Sequence, residues 1–269
     1  FCYDCKKVAP REACRKQRGL QGLMTDKSLL DLSGVTKRFP GVVANDDVTF
    51  SILPGEVHAL FGENGAGKST LVKIIYGVQR PDKGEMRFDG KPYAPAKPSE
   101  ARAMGIGMVF QHFSLFEALT VADNVALGMN KEAIGSNLDE QIVEVSKAYG
   151  LTLDPARYIG SLSVGERQRV EIIRCLLQKP RLLIMDEPTS VLTPQEVEIL
   201  FQTLRQLSSE GCSILYISHK LEEIRELCEK ATVLRGGKVV ATCDPREETA
   251  KSLAEMMIGT TFKFAERQV

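Results

Sequence analysis

The chain has 269 residues and equal numbers of basic and acidic side chains, 35 of each. This balance argues against a protein that coats nucleic acid through an overall basic surface. No apolar run approaches the roughly 18 to 20 residues that a membrane-spanning helix needs, so we expect any contact with a membrane to be peripheral. With 43% hydrophobic residues, the chain can bury the core of one large domain.

Residues 1–27 are rich in Lys and Arg and show little hydrophobic periodicity. We expect them to form a disordered or non-native leader, with Met24 a plausible natural start because patterned sequence begins just after it. Cys2 and Cys5 have the spacing of half a zinc site, but no second pair follows at a suitable distance. The seven cysteines give no disulfide framework, which favours a reducing, cytoplasmic setting.

From residue 28, the hydrophobic pattern alternates between strands and helices. Period-two alternation predicts half-buried strands near 30–32 and 48–52, and the short apolar run 57–61 predicts a fully buried strand. A glycine-rich loop follows, and then a helix that ends at Gly77. Alternation at Met86 and Phe88 before the turn Asp89-Gly90 predicts a small antiparallel hairpin.

The middle of the chain, about 111–175, has helical periodicity. Strands are predicted at 181–185, 213–218 and 231–234, with a helix from Pro194 that Thr193 and Glu196 cap reciprocally. A short helix capped by Thr249 follows and ends at Gly259. Repeated strand–helix–strand units predict an α/β fold with a mostly parallel sheet covered on both faces.

Residues 62–69 match the phosphate-loop pattern G-x-x-x-x-G-K-[ST] between a predicted buried strand and a helix. Glycines allow the backbone N–H groups to surround a polyanion, and the helix adds its positive end. We expect Lys68 to reach the β- and γ-phosphates and the Ser69 hydroxyl to bind Mg²⁺. The predicted nucleotide-binding residues of this loop are Gly62, Glu63, Asn64, Gly65, Ala66, Gly67, Lys68, Ser69 and Thr70.

Two further strands end in polar residues at the edge where open α/β sheets bind ligands. Asp186 and Glu187 follow an apolar strand, and we expect Asp186 to hold Mg²⁺, directly or through water, and Glu187 to polarise an attacking water. His219 ends the next strand. It could be an ordinary loop histidine, but its place favours a contact with the γ-phosphate.

A second predicted anion site lies at the start of another helix, in the sequence Leu-Ser-Val-Gly-Glu-Arg-Gln-Arg of residues 162–169. Ser163 and the Gly165 N–H lie at this helix N-terminus. One domain has no use for two anion sites on one nucleotide, so the segment makes sense if it caps a phosphate bound by a second domain.

This segment resembles the signature motif of the ABC ATPases, and the resemblance extends over about residues 28–259. It implies a P-loop NTPase (RecA-like) core, a small antiparallel β subdomain and a helical subdomain at about 111–175. It also implies that Phe39 stacks on adenine and that Gln111 touches Mg²⁺ and senses the γ-phosphate. In the same way it assigns catalysis to Glu187, His219 and Gln111, magnesium to Ser69, Gln111 and Asp186, and the contacts in trans to Ser163, Gly165 and Glu166.

Three stretches, residues 39–46, 186–196 and 218–224, look more narrowly like the first half of tandem ATPases from sugar and nucleoside importers. The partners implied are a second ATPase domain, fused or as a dimer, transmembrane permease subunits and, indirectly, a solute-binding protein. The implied place is the cytoplasmic face of the inner membrane. Residues 260–269 are interpreted as a tail, which could be a cut linker, and no nucleic-acid partner is expected.

The sequence departs from the common family pattern at three positions. Val164 stands where Gly is usual, Glu166 where Gln is usual, and Thr193 where an aspartate usually helps the two domains communicate. We therefore expect the two composite sites to be inequivalent. Two alternatives stay open: a non-transport ABC ATPase acting on ribosomes or DNA, and a regulatory nucleotide-binding half with little turnover of its own.

Overall fold

A computed structural model describes residues 28–111, 113–129 and 137–259. The predictions for the leader, including Cys2, Cys5 and Met24, and for residues 260–269 lie outside this range. The strands are β1 (Leu30–Phe39), β2 (Val42–Ile52), β3 (Val57–Phe61), β4 (Lys83–Phe88), β5 (Lys91–Pro92), β6 (Ile106–Val109), β7 (Leu182–Asp186), β8 (Ser213–Ile217), β9 (Lys230–Arg235) and β10 (Lys238–Cys243). The helices are α1 (Lys68–Ile75), α2 (Pro98–Ala103), α3 (Val121–Gly128), α4 (Leu138–Ala148), α5 (Val164–Leu176), α6 (Pro194–Ser209), α7 (Leu221–Leu227) and α8 (Ala250–Ile258).

The central sheet has six strands in the order β10-β9-β3-β8-β7-β6. Strands β9, β3, β8, β7 and β6 pair in parallel, and β10 pairs with β9 in the antiparallel direction. The predicted α/β fold with a mostly parallel sheet is therefore confirmed. Because β3, β7 and β8 are neighbours, the loops that follow them lie at one edge of the sheet.

Each face of the central sheet packs against its own hydrophobic core. In β3, Ala59 and Phe61 belong to one core, whereas Leu60 belongs to the other. Successive side chains of a strand point to opposite faces, so a strand buried on both sides is apolar at almost every position. This is why the run 57–61 predicts a central strand, although its second residue is the buried His58.

The second sheet is antiparallel and has the order β2-β1-β4-β5. The predicted hairpin is present: β4 pairs with β5 around Asp89 and Gly90, which have φ values of 54° and 71°. Two positive φ angles in a two-residue loop match the twist of the flanking strands. The sheet shares a hydrophobic core with α1 and one face of the central sheet.

The helices α3, α4 and α5 occupy the middle of the chain, where helical periodicity is predicted. Reciprocal capping boxes begin α5 at Ser163 and α6 at Thr193, the second as predicted. Four elements, β6, β10, α2 and α7, have no counterpart in the sequence-based prediction. Within the described ranges, every helix is too short or too polar to cross a bilayer.

Candidate functional site

The glycine-rich loop connects the buried strand β3 to α1, as predicted. Gly67 is the N-cap of α1, with φ of 101°, and no side chain caps this helix. A Cβ atom at Gly67 would lie 2.2 Å from the Ala44 carbonyl oxygen, so only glycine fits here. The first N–H groups of α1 thus lack a side-chain acceptor from the cap, which is the condition for a helix N-terminus to bind an anion.

Two neighbours that sequence reasoning missed hold this loop in place. Asn45, fully buried on β2, donates from Nδ2 to the Gly67 oxygen at 3.1 Å. Gly237 donates its N–H to the Ala66 oxygen at 3.1 Å and accepts from the Asp46 N–H at 2.8 Å. The Gly236-Gly237 pair predicted only a turn, and the stretch that contains Asn45 gave that residue no role, because both contacts join residues far apart in the chain.

Lys68 is buried over its own loop. Its Nζ donates to the carbonyl oxygens of Gly62 at 2.7 Å and Glu63 at 3.0 Å. Burial lowers the pKa of Lys68, and the nearby charges of Glu187 and Asp186 partly oppose that shift. An ammonium group held by backbone carbonyl oxygens at the loop is suited to bind a phosphate.

Asp186 and Glu187 lie at the end of β7, beside the loop that follows β8. Asp186 is buried, and the Glu187 N–H donates to the Ile217 oxygen at 2.9 Å. Glu187 has a φ of 48°, in the left-handed region. For a residue with a side chain this conformation costs on the order of 1–3 kcal/mol, and here it re-aims the carboxylate as the strand ends.

Gln111 and His219 hold the two oxygens of the Glu187 carboxylate. Gln111 donates from Nε2 to Oε2 at 3.2 Å, and His219 Nδ1 lies 3.0 Å from Oε1. These three residues come from the ends of β6, β7 and β8, which are adjacent strands. The fold therefore brings together the three residues predicted to be catalytic.

The remaining residues of the predicted nucleotide site differ in exposure. Glu63, Asn64, Gly65 and Ser69 are exposed, Thr70 is half-buried and Ala66 is buried. Phe39 ends β1 with 41% of its surface exposed, and Lys37 Nζ lies 5.7 Å from the centre of its ring. An exposed aromatic ring is available for stacking on a planar ligand.

The donors predicted for magnesium fit a hard cation in kind. Ser69, Gln111 and Asp186 offer a hydroxyl, an amide and a carboxylate oxygen, the ligand types that Mg²⁺ binds together with phosphate oxygens and water. The hydrogen bond from Gln111 to Glu187 uses the amide nitrogen as donor, so it does not occupy the amide oxygen. Among the described residues, no cluster of three or more His, Cys, Asp or Glu side chains could hold a metal ion.

The predicted trans-acting residues form a separate, internally bonded group at the start of α5. Ser163 donates its N–H to Glu166 Oε2 at 2.8 Å, and Ser163 Oγ accepts from the Glu166 N–H at 3.2 Å. Arg157 Nη1 lies 2.6 Å from Glu166 Oε1. The Ser163 N–H, and then Arg157, lower the pKa of Glu166 against the opposing effect of burial. Gly165 packs against α6, since a Cβ there would lie 1.8 Å from Glu196 Oε1.

The family model described as "ABC transporter" matches residues 45–190, more than half of the chain. The chain belongs to the ABC transporter family. The ABC cassette described as the ADP conformation of MJ1267, an ATP-binding cassette of an ABC transporter, has a TM-score of 0.76 and 26% identity, over 87% of this chain and 99% of that one. A second ABC structure, described as a dimeric post-hydrolysis state of the cassette MJ0796 bound to ADP and Pi, has a TM-score of 0.72 and 27% identity, over 81% of this chain and all of that one. The expected P-loop NTPase fold is confirmed.

Two ABC relatives are importer subunits. This chain is 45% identical over 246 residues to the nucleoside import ATP-binding protein NupA of Lactococcus lactis subsp. cremoris, with 90% of this chain and 48% of the relative covered. It is 44% identical over 241 residues to the ribose import ATP-binding protein RbsA 1 of Rubrobacter xylanophilus, with 88% and 48% covered. The chain thus spans about half the length of the curated ABC relatives it matches.

Proposed function

We propose that this chain binds and hydrolyses ATP to drive the import of a sugar or nucleoside through an ABC transporter. The observation that carries the proposal is the Glu187 carboxylate, held between Gln111 and His219 at the strand ends beside the buried Lys68. The similarity to nucleoside and ribose import ATP-binding proteins supports the class of cargo.

In the proposed mechanism, the backbone N–H groups of the loop and of the first turn of α1 bind the phosphates of ATP. Lys68 exchanges its contacts with Gly62 and Glu63 for phosphate oxygens, and Phe39 stacks on adenine. Mg²⁺, held by Ser69 and Gln111 and, directly or through water, by Asp186, would neutralise phosphate charge. The binding energy of these groups fixes the terminal phosphate at the Glu187 end of the site.

Glu187 orients the attacking water by accepting a hydrogen bond from it. The water oxygen bonds to the γ-phosphorus while the bond to the β–γ bridging oxygen breaks, which yields ADP and phosphate. Gln111 and His219 keep the carboxylate in one orientation. Phosphoryl transfer depends mainly on such positioning, so small displacements of Glu187 would cost rate.

We assign the start of α5 to the nucleotide of a second ATPase domain, fused or as a dimer. The side chains of Ser163 and Glu166 bond to each other's backbone N–H groups, and Arg157 donates to Glu166. Closure of two domains would bring the Ser163 hydroxyl and the Gly165 N–H of one to the γ-phosphate of the other and exclude bulk water. A relative of known structure is a dimeric cassette bound to ADP and Pi, which supports this arrangement.

The proposal also assigns a docking surface for the membrane permease to the segment after Gln111. Ser114 N–H donates to the buried Glu171 of α5 at 2.9 Å, and Asn124 of α3 accepts from the Phe116 N–H at 2.7 Å. Phe116 and Leu127 are exposed beside a cavity of about 330 Å³. A movement of Gln111 would therefore displace the exposed apolar surface at Phe116 and Leu127, because a short loop connects the two and hydrogen bonds from Ser114 and Phe116 anchor it.

The dependence of ATPase rate on protein concentration tests this proposal. If two chains complete each site, specific activity with Mg-ATP rises steeply with concentration and then saturates. A flat line near zero, with ATP still bound, would favour the regulatory alternative. Failure to bind Mg-ATP at all would reject the proposed function.

A further inference from the structure

A partly buried carboxylate lies behind the Glu187–His219 pair. Glu223, in the first turn of α7, has a side chain only 12% exposed. Its Oε2 accepts hydrogen bonds from the Thr189 hydroxyl at 2.7 Å, the Tyr216 hydroxyl at 2.8 Å and the Ser218 hydroxyl at 3.3 Å. One oxygen therefore collects three hydroxyl donors from two different loops and a strand.

Lys220 closes the same network from the other side. Its Nζ lies 3.0 Å from Glu223 Oε1 and donates to the Thr189 carbonyl oxygen at 3.0 Å. Its backbone N–H donates to Ser218 Oγ at 3.1 Å. Thr189 and Ser218 are both 2% exposed, so water does not readily replace these bonds.

The network joins the two loops that present the reacting groups. Thr189 follows Glu187 by two residues, and Ser218 and Lys220 flank His219. The side chains of Glu187 and His219 meet at 3.0 Å across the gap between these loops. We propose that Glu223 is a positioning residue, which fixes the His219 ring against Glu187 by binding both loops; this rests on the function proposed above for that pair.

The chemistry of the network needs a carboxylate. Thr189, Ser218 and Lys220 all present hydrogens to Glu223, and burial raises the pKa of Tyr216, with the Glu223 charge adding to the shift, so the phenol stays a donor. A glutamine would keep the shape but replace one acceptor oxygen by an NH₂ donor. Depending on the orientation of the amide, its NH₂ group would face either the hydroxyl donors or the Lys220 ammonium. The hydrogen bonds on that side would be lost.

The adjacent Glu222 provides a matched control. It lies in the same turn of α7, its side chain is 76% exposed, and its ion pair is with Arg225 at 3.3 Å. Glu222→Gln makes the same chemical change one residue away without touching either loop.

The first measurement is the NMR spectrum of the histidine rings in the nucleotide-free chain. The chain has three histidines, and the signals of His219 are identified by their loss in His219→Ala. Glu223→Gln should move and broaden the His219 signals, and Glu222→Gln should leave them unchanged. Thr189→Val, which removes one donor and keeps the shape, should move them less in the same direction. His219 signals that stay in place in both Glu223→Gln and Thr189→Val would overturn the inference.

The second measurement is steady-state hydrolysis of Mg-ATP. Displacement of a positioned group should lower kcat by about 10- to 100-fold in Glu223→Gln, while KM for ATP changes by no more than about twofold. In the His219→Ala background, Glu223→Gln should cause little further loss, because it acts through His219. Losses of kcat that add in the double variant would contradict the positioning role of Glu223. So would a loss that is explained by the fraction of the protein that is unfolded. A wild-type chain without ATPase activity would reject the proposed function, and the histidine spectra would still decide the role of Glu223.

Discussion

Two helix N-termini in this chain are candidate phosphate sites, and their local structures differ. Helix α1 begins at Gly67 without any side-chain cap, whereas α5 begins at Ser163 with a complete capping box. We call the first, with Glu187 and His219, the phosphate-loop face, and the second, residues 162–169, the signature segment. The phosphate-loop face has N–H groups without a side-chain cap, a buried lysine and a candidate base. In the signature segment, the N–H groups of Ser163 and Glu166 are already bonded within the capping box.

The difference extends to charge. At the phosphate-loop face, Lys68 supplies a buried cation where an anion would bind. At the signature segment, the Glu166 carboxylate already accepts the Ser163 N–H, and Arg157 pairs with it. The first face is built to hold a polyanion alone. The second is satisfied within the chain, and would add only a hydroxyl and one turn of helix to a nucleotide that another domain holds.

The largest expected effect comes from removing the proposed catalytic carboxylate while leaving the N-termini of α1 and α5 unchanged. Glu187→Gln keeps the shape and can still accept a hydrogen bond, but it loses the carboxylate that orients water. We expect kcat to fall by about 10²- to 10⁴-fold, with ATP affinity nearly unchanged. Because ATP then persists, the variant should also accumulate as an ATP-bound pair in analytical ultracentrifugation. Undiminished hydrolysis would refute the assignment of Glu187.

A mixing experiment tests directly whether the phosphate-loop face of one chain and the signature segment of another act on the same nucleotide. Lys68→Ala disables the phosphate-loop face, and Ser163→Asp keeps a good N-cap residue but places a negative charge in the signature segment. Each variant alone should lose ATPase activity by more than about tenfold, through loss of one or two charge-assisted hydrogen bonds or by repulsion. In a mixed pair, one site keeps both an intact loop and an intact segment, so equal mixing should restore part of the activity.

Two substitutions serve as controls for the mixing experiment. Lys73→Ala removes an exposed lysine from the same helix α1, and Ser163→Thr keeps the hydroxyl in a neutral N-cap residue. Both should retain most of the wild-type rate. If a mixture of Lys68→Ala and Ser163→Asp stays as inactive as its components, the two faces do not complete one another across a pair.

The sequence predicts best the features set by neighbours in the chain. The cap of α6 at Thr193 and Glu196 and the hairpin at Asp89-Gly90 depend on contacts within a few residues, and both are confirmed. The strand β6 has only four residues, one of which is Gly107, and α7 has seven, which is too short to show a clear period.

Contacts between distant residues explain the rest of the difference. Asn45 of β2 reaches Gly67 at the end of the phosphate loop, and Glu223 of α7 reaches Thr189 in the loop after β7. Both lie in stretches that resemble importer ATPases, but the sequence pattern assigns neither of them a contact with a distant residue. The residues predicted from motifs, such as Gln111, Glu187 and His219, do lie together, because each follows one of three adjacent parallel strands.

The smallest expected effect tests whether Glu166 is the anion that satisfies the signature segment. Its pKa is lowered in the folded protein, by the Ser163 N–H and by Arg157, below the ordinary value of 4.5. A carboxyl group with a depressed pKa stabilises the fold above its unfolded pKa, and this contribution is lost as the pH falls through the folded pKa. Glu166→Gln can still accept the Ser163 N–H, but it removes the negative charge from the helix end and from the pair with Arg157. The charge at the helix end is worth about 0.3 to 1 kcal/mol.

We therefore expect the wild-type chain to melt at a slightly higher temperature than Glu166→Gln near neutral pH, and the difference to vanish as the pH falls below 4.5, the ordinary value from which the shift is measured. Thermal unfolding followed by circular dichroism across this range measures it. Glu144→Gln, at an exposed position of α4, serves as the control and should show a smaller difference. A gap between wild type and Glu166→Gln that stays constant with pH would mean that this carboxylate does not neutralise the start of α5. The contrast between the two faces would then have to rest on the Ser163 cap, Lys68 and Glu187, and not on the charge of Glu166.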